Sequence, residues 1–311
     1  MTPPGPNDEY FTDVKGIPDQ QESFRTKGAS NQWNFAYGAN YKDKIFVGLG
    51  IGLVSLKFKN QRTYKEDFAT DDVFNNLQLN ETLDIQGNGI NATVGVIGRP
   101  VDFLQIGVSF STPTHYEISE NYEATMSTSW KNFDYYGDGS EILNLLDKST
   151  DPVVTDYSLT TPMKFSTGLA YISKYGLITA DVDFVNPAKA KYDSNMSGVT
   201  FDIENNDIRA TFSSAINYRI GGEYRYKIYR VRAGYGVQGN TYNSNVDLNN
   251  SIKTVSGGVG IRIQKFYCDF AYVHSSGTGY YQPYSFFDGP GPIADLDRST
   301  NTGMITFGFS F

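Results

Sequence analysis

The sequence predicts an all-β fold, namely an antiparallel up-and-down transmembrane β-barrel of the outer-membrane type, to which this chain contributes about eleven strands. Three observations lead to this prediction. Apolar and polar residues alternate in short segments, the connections between segments are alternately short and long, and aromatic residues gather at segment ends. The composition agrees, because 311 residues with 23 Tyr, 21 Phe and 31 Gly are rich in residues typical of strands and turns.

The alternating segments begin at residue 31 and continue to the C-terminus. Successive side chains of a strand point to opposite faces, so each segment has one apolar face and one polar or glycine-rich face. In the hairpin around residues 227–228, antiparallel pairing is expected to place Glu223 opposite Arg232. Segments with this alternation are residues 44–54, 216–226, 229–238 and 302–311, and the last is the clearest.

The connections between these segments fall into two classes. An outer-membrane barrel has short turns on its periplasmic rim and long loops on its extracellular rim, whereas a soluble sandwich has no reason to sort its connections in this way. The sorting therefore favours a membrane barrel. The short turns are residues 41–44, 99–102, 173–176, 227–228 and 264–265, and the long polar stretches are residues 60–79, 127–155, 195–210, 240–250 and 284–299.

The chain is expected to have two parts. Residues 1–30 are rich in Pro, Gly, Asp and Gln, and they are expected to be an N-terminal loop segment, part of an extracellular loop. Residues 31–311 are expected to form a partial transmembrane β-barrel. Met1 is followed by neither a basic nor an apolar region, so the signal peptide of a bacterial outer-membrane protein is expected upstream of this sequence.

Charge and motif content argue against several other classes. The 26 basic and 34 acidic residues give a net charge of −8, which disfavours a nucleic-acid partner. The mean hydropathy is −0.40 and no long apolar run occurs, so a helical membrane protein is excluded. His115 and His274 have no metal-ligand spacing, no nucleophile elbow occurs, and Cys268 is the sole cysteine. We therefore expect no catalytic residue, no metal and no cofactor.

The C-terminal strand resembles the insertion signal of bacterial outer-membrane barrels, since it alternates and ends in phenylalanine. This resemblance implies the barrel-assembly machinery as a partner, together with outer-membrane lipid and lipopolysaccharide. The chain is expected to be a monomer. The signal residues are Ile305, Phe307, Phe309 and Phe311.

Three further segments resemble the FadL/TodX family of outer-membrane transporters for long-chain fatty acids and other hydrophobic compounds, in the style of its Bacteroidetes members. The family barrel has fourteen strands and an N-terminal hatch, so the resemblance implies that the hatch and first three strands are absent from this chain. It also implies passive uptake of hydrophobic compounds such as long-chain fatty acids. The segments are RPVDFLQIGVSFSTPT at residues 99–114, TTPMKFSTGLAYISKYG at 160–176 and YRIGGEYRYKIYRVRAGYGVQ at 218–238.

Strand phase suggests four residues for the inner wall of the barrel. Phe46 and Phe103 point inward by phase and offer apolar contacts to a ligand. Arg219 and Arg232 lie on polar faces, where a guanidinium matches the geometry of a fatty-acid carboxylate. The alternative for the arginines is a solvated charge network within the barrel wall.

Loop aromatics add two more candidates, and the function stays open between three classes. Tyr116 and Trp130 are candidates for an outer apolar groove, with a rim girdle or packing within the loops as the alternative. The first functional class is the outer-membrane channel or transporter. The second is a surface receptor, adhesin or structural barrel that transports nothing. The third is a soluble all-β carbohydrate-binding module, in which the aromatic residues would stack on sugars.

Overall fold

A computed structural model describes residues 16–69, 71, 73–194, 196, 198–284 and 291–309. Strands make up 74% of it, and fifteen strands form one antiparallel sheet, which confirms the all-β prediction. The strands are β1 (Asp19–Tyr41), β2 (Ile45–Asp67), β3 (Phe74–Val101), β4 (Leu104–Ser111), β5 (His115–Asp134), β6 (Ile142–Ser149), β7 (Val153–Thr160), β8 (Lys164–Ser173), β9 (Gly176–Val185), β10 (Lys191–Asp193), β11 (Ala215–Tyr226), β12 (Tyr229–Gln238), β13 (Ile252–Ile263), β14 (Phe266–Tyr281) and β15 (Ala294–Phe309). A 3-10 helix, Pro187–Lys189, and one α-helix, α1 (Asp202–Thr211), complete the elements.

An up-and-down meander crosses the sheet, and each of its strands pairs with the next one. Its register in the β11–β12 hairpin places Glu223 opposite Arg232, as the sequence predicts. Four strands lie outside the meander. β5 pairs with β3, β7 pairs with β5, β10 pairs with β7, and β6 also pairs with β5. The meander has eleven strands, which are β1, β2, β3, β4, β8, β9, β11, β12, β13, β14 and β15.

The connections of the meander are sorted as the sequence predicts. Every short turn is followed by a long connection, so short turns share one rim and long connections share the other. Three short turns contain non-glycine residues in the left-handed region: Lys42 with φ 51° and Asp43 with φ 54° in the first, Lys227 with φ 51°, and Gln264 with φ 52°. The short turns are residues 42–44, 102–103, 174–175, 227–228 and 264–265. The long connections are residues 68–73, 112–163, 186–214, 239–251 and 282–293.

The chain divides into two compact units. Unit 1 comprises residues 1–31, 55–88 and 117–157, and unit 2 comprises residues 32–54, 89–116 and 158–311. In unit 2 the apolar face of the strands is the exposed one. On β12, for example, Val231 is 53% exposed, whereas its neighbour Arg232 is half-buried. A water-soluble sheet buries its apolar face, so this reversed pattern is that of a sheet covered by lipid and confirms the outer-membrane barrel type.

Unit 1 has a small aromatic core. Phe74 is buried, and its ring centroid lies 4.5 Å from that of Trp130 and 5.3 Å from that of Phe68. Trp130 in turn stacks on Phe133 at 5.2 Å, with 22° between the ring planes. These residues hold β3 and β5 together with the connection that follows β2.

Several strands are longer than the sequence predicts. β1 begins at Asp19, so the expectation of a loop up to residue 30 is wrong for residues 19–30, and residues 1–15 lie outside the described part of the chain. Residues 60–67, 74–79, 127–134, 142–149 and 294–299, expected in loops, are also strand. In these segments, hydrogen-bonded polar pairs between neighbouring strands take the place of an apolar face. Thr26 Oγ1, for instance, donates to Asn60 Oδ1 at 2.9 Å.

The α-helix is a second departure, because α1 lies in the expected loop at residues 195–210. Its buried Asn205 accepts a hydrogen bond from the N–H of Tyr192 at 2.8 Å and donates to the carbonyl of Tyr192 at 2.9 Å. This pair of bonds fixes the helix against β10. Neither helix in the described ranges has the length and apolar character to cross a membrane.

Candidate ligand-binding cavity

The inner face of unit 2 carries an open cavity of about 740 Å³. Glycines on the inner face leave the space, and Gly48, Gly107 and Gly168 are among them. The ring of Phe46 also lines the cavity. This volume lies within the range of roughly 300–1,000 Å³ that is typical of small-molecule sites. The wall is built from β1, β2, β3, β4, β8, β9 and β11.

Four charged side chains line this cavity: Lys164, Asp181, Asp183 and Arg219. Arg219 Nη2 donates to Asp183 Oδ2 at 3.0 Å. The side chain of Asp183 is 7% exposed, whereas that of Arg219 is 61% exposed. A guanidinium has five N–H donors, so one bond to Asp183 leaves other donors directed at the open space. Arg219 can therefore accept an anionic group while it keeps its structural partner.

Arg232 has a different environment. Its Nε donates to Glu223 Oε2 at 2.6 Å and its Nη1 donates to Asp269 Oδ1 at 2.8 Å. Arg225 donates to the other carboxylate oxygen of Glu223. Carboxylates thus occupy two sides of the Arg232 guanidinium, which is the charge network that the sequence leaves open as an alternative.

Phe103 and Tyr116 lie away from the residues that line the cavity. Phe103 belongs to the short turn at residues 102–103, and its ring meets that of Tyr171 edge-on at 5.7 Å. Tyr171 is on the exposed face of β8, so Phe103 contributes to the rim. Tyr116 lies near the start of β5, and its ring covers Gly89 so closely that a Cβ there would collide with it.

Trp130 belongs to the aromatic core of unit 1, where its Nε1 also donates to Thr128 Oγ1 at 3.0 Å. Of the six ligand candidates, the structure therefore brings Phe46 and Arg219 to one cavity and places the other four elsewhere. The candidate residues do not include the inner-face glycines, although the alternation places these glycines on that face.

The described residues of the insertion signal share one face of β15, a strand that is exposed on both faces. Ile305, Phe307 and Phe309 all lie there, and the ring of Phe309 is 5.2 Å from that of Phe266 on β14. Phe311 lies outside the described residues.

A polar cluster lies in unit 1 around Arg62 of β2. Arg62 donates hydrogen bonds to Glu22 and, through Nη1, to Glu81 Oε2 at 2.6 Å. Tyr122 also donates to Glu81. Burial opposes ionisation of Glu81, but the hydrogen bonds from Tyr122 and Arg62 outweigh it and hold the pKa of Glu81 below its ordinary value.

Tyr64 belongs to the same region of β2. Its hydroxyl donates to Glu66 Oε1. Burial of the phenol, followed by this hydrogen bond, raises the pKa of Tyr64 to about 12. Both effects disfavour the phenolate, since a carboxylate partner repels it and a partly dry site does not solvate it.

Metal-ligand geometry is absent from the described ranges, which contain no group of three or more His, Cys, Asp or Glu side chains able to hold an ion. The histidines bind polar neighbours instead. His115 Nδ1 lies 3.1 Å from Thr160 Oγ1, and His274 Nδ1 lies 2.7 Å from Asn301 Oδ1.

Solved structures with a similar fold include a toluene transporter, a FadL homologue and a peptide importer. The chain is similar to the Pseudomonas putida toluene transporter TodX, with 11% identity and a TM-score of 0.43 over 94% of this chain and 88% of that chain. It is similar to a Pseudomonas aeruginosa FadL homologue, with 13% identity and a TM-score of 0.49 over 89% and 76%. The RagAB peptide importer gives 8% identity and a TM-score of 0.42 over 92% and 34%. These values concern fold alone, and the fold assignment rests on the strand topology and exposure described above. No family model and no curated protein matches the sequence.

Proposed function

We propose that this chain is an outer-membrane channel for passive uptake of hydrophobic compounds, with long-chain fatty acids as the substrate class. The observation that carries the proposal is the cavity on the inner face of unit 2, which lies behind an apolar, exposed outer face. Lipid covers such an outer face, and a solute can then pass only along the inner one. In this proposal the chain also meets outer-membrane lipid and the barrel-assembly machinery.

The cavity favours an amphiphile with an acidic head. Phe46 offers an aromatic surface, and Arg219 offers a guanidinium with free donors. A guanidinium binds a carboxylate through two parallel hydrogen bonds, and these bonds are stronger where little water is present. Lys164 adds a second cation to the wall. A long-chain carboxylate satisfies both the apolar and the basic parts of this surface.

The test blocks the cavity with a bulky side chain. Gly48 lines it, and a Cβ added at Gly48 meets no atom within 4 Å. The backbone at Gly48 therefore has room for a Cβ, and Gly48→Phe should fill part of the cavity and reduce uptake of a fluorescent long-chain fatty acid into proteoliposomes. Gly257→Phe is the matched control, because Gly257 has the same free space but lies on the exposed face of β13. Equal uptake by both variants would contradict the proposal.

A second candidate function is a surface receptor or adhesin, and the lengths of β2 and β3 favour it. β2 has 23 residues and β3 has 28, whereas a transmembrane strand needs about 9–11. A channel alone does not need such extensions. Wild-type proteoliposomes that take up no hydrophobic probe, from a chain that folds in detergent, would favour this alternative.

A further inference from the structure

The outward face of β13, β14 and β15 changes character along its length. Near the short turn it is apolar, with Val259, Phe270 and Ile305 exposed. Towards the long connections it is polar, and a groove of about 480 Å³ lies there. Most residues lining the groove have the same phase as the apolar ones below, so the groove is on the outer surface of the sheet. These strand residues are Lys253, Ser276, Thr278, Tyr280, Asp297 and Ser299, whereas Asn249 and Ser251 line the groove from the connection before β13, and Gly277 and Arg298 have the opposite phase.

The strand register sets the position of this groove along the membrane normal. Lys253, Ser276 and Ser299 form one row across the three strands, since Lys253 pairs with Ser276 and Ser276 pairs with Ser299. Ser276 follows Phe266, the first residue of β14, by ten positions. A transmembrane strand crosses the hydrocarbon in about 9–11 residues. The row therefore emerges where the headgroups of the outer leaflet lie.

The next row towards the membrane interior marks the interface itself. It contains Val255, His274 and Asn301. Tyr272 donates its hydroxyl to Asn301 Oδ1 at 2.8 Å. A tyrosine whose ring is exposed and whose hydroxyl is hydrogen-bonded is typical of the boundary between lipid tails and headgroups. The groove begins directly beyond this boundary.

We infer that the groove binds the phosphorylated sugar headgroup of an outer-leaflet glycolipid. The inference rests on the proposed outer-membrane location. Within the described part of the chain, Lys253 Nζ forms no ion pair, so its ammonium is available to a phosphate. The hydroxyls of Ser276, Thr278 and Ser299 both donate and accept, as sugar hydroxyls require.

Two features favour a sugar over a simple glycerophospholipid. The groove offers several hydroxyl groups and the Asn249 amide beside two cations, Lys253 and Arg298, which is more than a bare phosphodiester can use. Asp297 adds an acceptor for sugar hydroxyls but would repel a purely anionic headgroup. Tyr280 closes the far end, where its hydroxyl accepts from the N–H of Asn249 at 2.8 Å.

The test measures binding of lipid A, a diphosphorylated acyl-glucosamine disaccharide, to the full chain folded in detergent. Phosphatidylglycerol is the comparison lipid, and inorganic phosphate is added as a competitor. Lys253→Ala should weaken lipid A binding about tenfold, since a hydrogen bond between charged groups is lost. Lys253→Arg should restore it. Lys265→Ala is the matched control, because Lys265 belongs to the same hairpin but lies in its short turn.

Wild-type preference for lipid A, lost in Lys253→Ala and kept in Lys265→Ala, would support the inference. Equal binding by Lys253→Ala and wild type would overturn it, as would equal affinity for phosphatidylglycerol or displacement by inorganic phosphate. If Lys253→Ala does not fold, the double variant Ser276→Ala and Ser299→Ala takes its place with the same criterion.

The outcome separates this inference from the proposed function. Lys253→Ala should still take up a hydrophobic probe, because Lys253 is on the outer surface of the sheet. Uptake without a lipid A preference would overturn only the glycolipid site. A lipid A preference without uptake would overturn only the channel.

Discussion

Arg219 bonds diagonally across the sheet to Asp183 and not to its direct partner. Its Cα partner on β9 is Asp181, whereas Nη2 donates to Asp183 Oδ2 at 3.0 Å. The guanidinium is therefore displaced along the strand towards Asp183, and its side towards the cavity remains exposed. Asp181 lines the same cavity, but the hydrogen bond from Arg219 goes to Asp183.

Arg219→Gln should change selectivity between ligands. Uptake of a carboxylated long-chain probe should fall about tenfold, because a hydrogen bond to a charged group contributes about 1.5–3 kcal/mol. Uptake of a neutral hydrocarbon of similar length should be unchanged. Arg232→Gln is the control, since Arg232 is already bound to Glu223 and Asp269. A parallel loss of both probes in Arg219→Gln would argue against carboxylate recognition.

Single cysteines should report which face meets lipid. In a Cys268→Ala background, a membrane-restricted thiol reagent should label Val231→Cys and Tyr235→Cys, whose parent side chains are exposed. It should spare Arg232→Cys and Gly236→Cys, which lie on the other face of β12. Labelling that does not alternate along β12 would be incompatible with a lipid-covered outer face.

Tyr64 should lose its proton at a higher pH than an ordinary tyrosine, and neutralising Glu66 should lower that pH. Its folded-state pKa is about 12, above the ordinary value of 10.0. The raised pKa adds stability that is fully present below about pH 10 and is lost as the pH rises through about 12. Glu66→Gln should move this titration to lower pH in an ultraviolet tyrosinate measurement. Asp67→Asn, at the next position, should leave it in place.

Glycine should stabilise two of the short turns. Lys227 and Gln264 have positive φ, a conformation that costs a non-glycine residue about 1–2 kcal/mol. Glycine loses about 0.5–1 kcal/mol more backbone entropy on folding, so a net gain of up to about 1 kcal/mol is expected. Urea unfolding of Lys227→Gly and Gln264→Gly would measure it. Lys174→Gly, in a turn position without positive φ, should be destabilised instead.

The membrane-crossing part of the fold could be predicted because one of its faces must be apolar. The pairing of Glu223 with Arg232 follows from that alternation and a two-residue turn. The strand extensions could not be predicted in the same way. Near Arg62 both faces of β2 are polar, and specific partners such as Glu22 and Glu81 hold the ladder. Such pairs are long-range contacts that no local pattern records.

The same limit applies to the cavity and to α1. Phase placed Phe46 and Arg219 on the inner wall, but it could not tell Arg219 from Arg232, because the difference lies in partners on other strands. α1 depends on Asn205 and its two bonds to the backbone of Tyr192, which are tertiary contacts. The helix propensity of residues 202–211 does not predict these tertiary contacts.

The exposed apolar face of unit 2 reverses the usual rules for which substitutions a sheet tolerates during evolution. Lipid tails adapt to any outline, so exchange among Val, Ile, Leu and Phe on the outer face is limited by hydropathy and hardly by shape. The polar inner face is limited by shape. A methyl group at Gly168 would strike the carboxylate of Asp181, and one at Gly260 would strike that of Asp269. Divergent versions of this sheet should therefore keep crowded inner glycines such as Gly168 and Gly260 while their outer residues change.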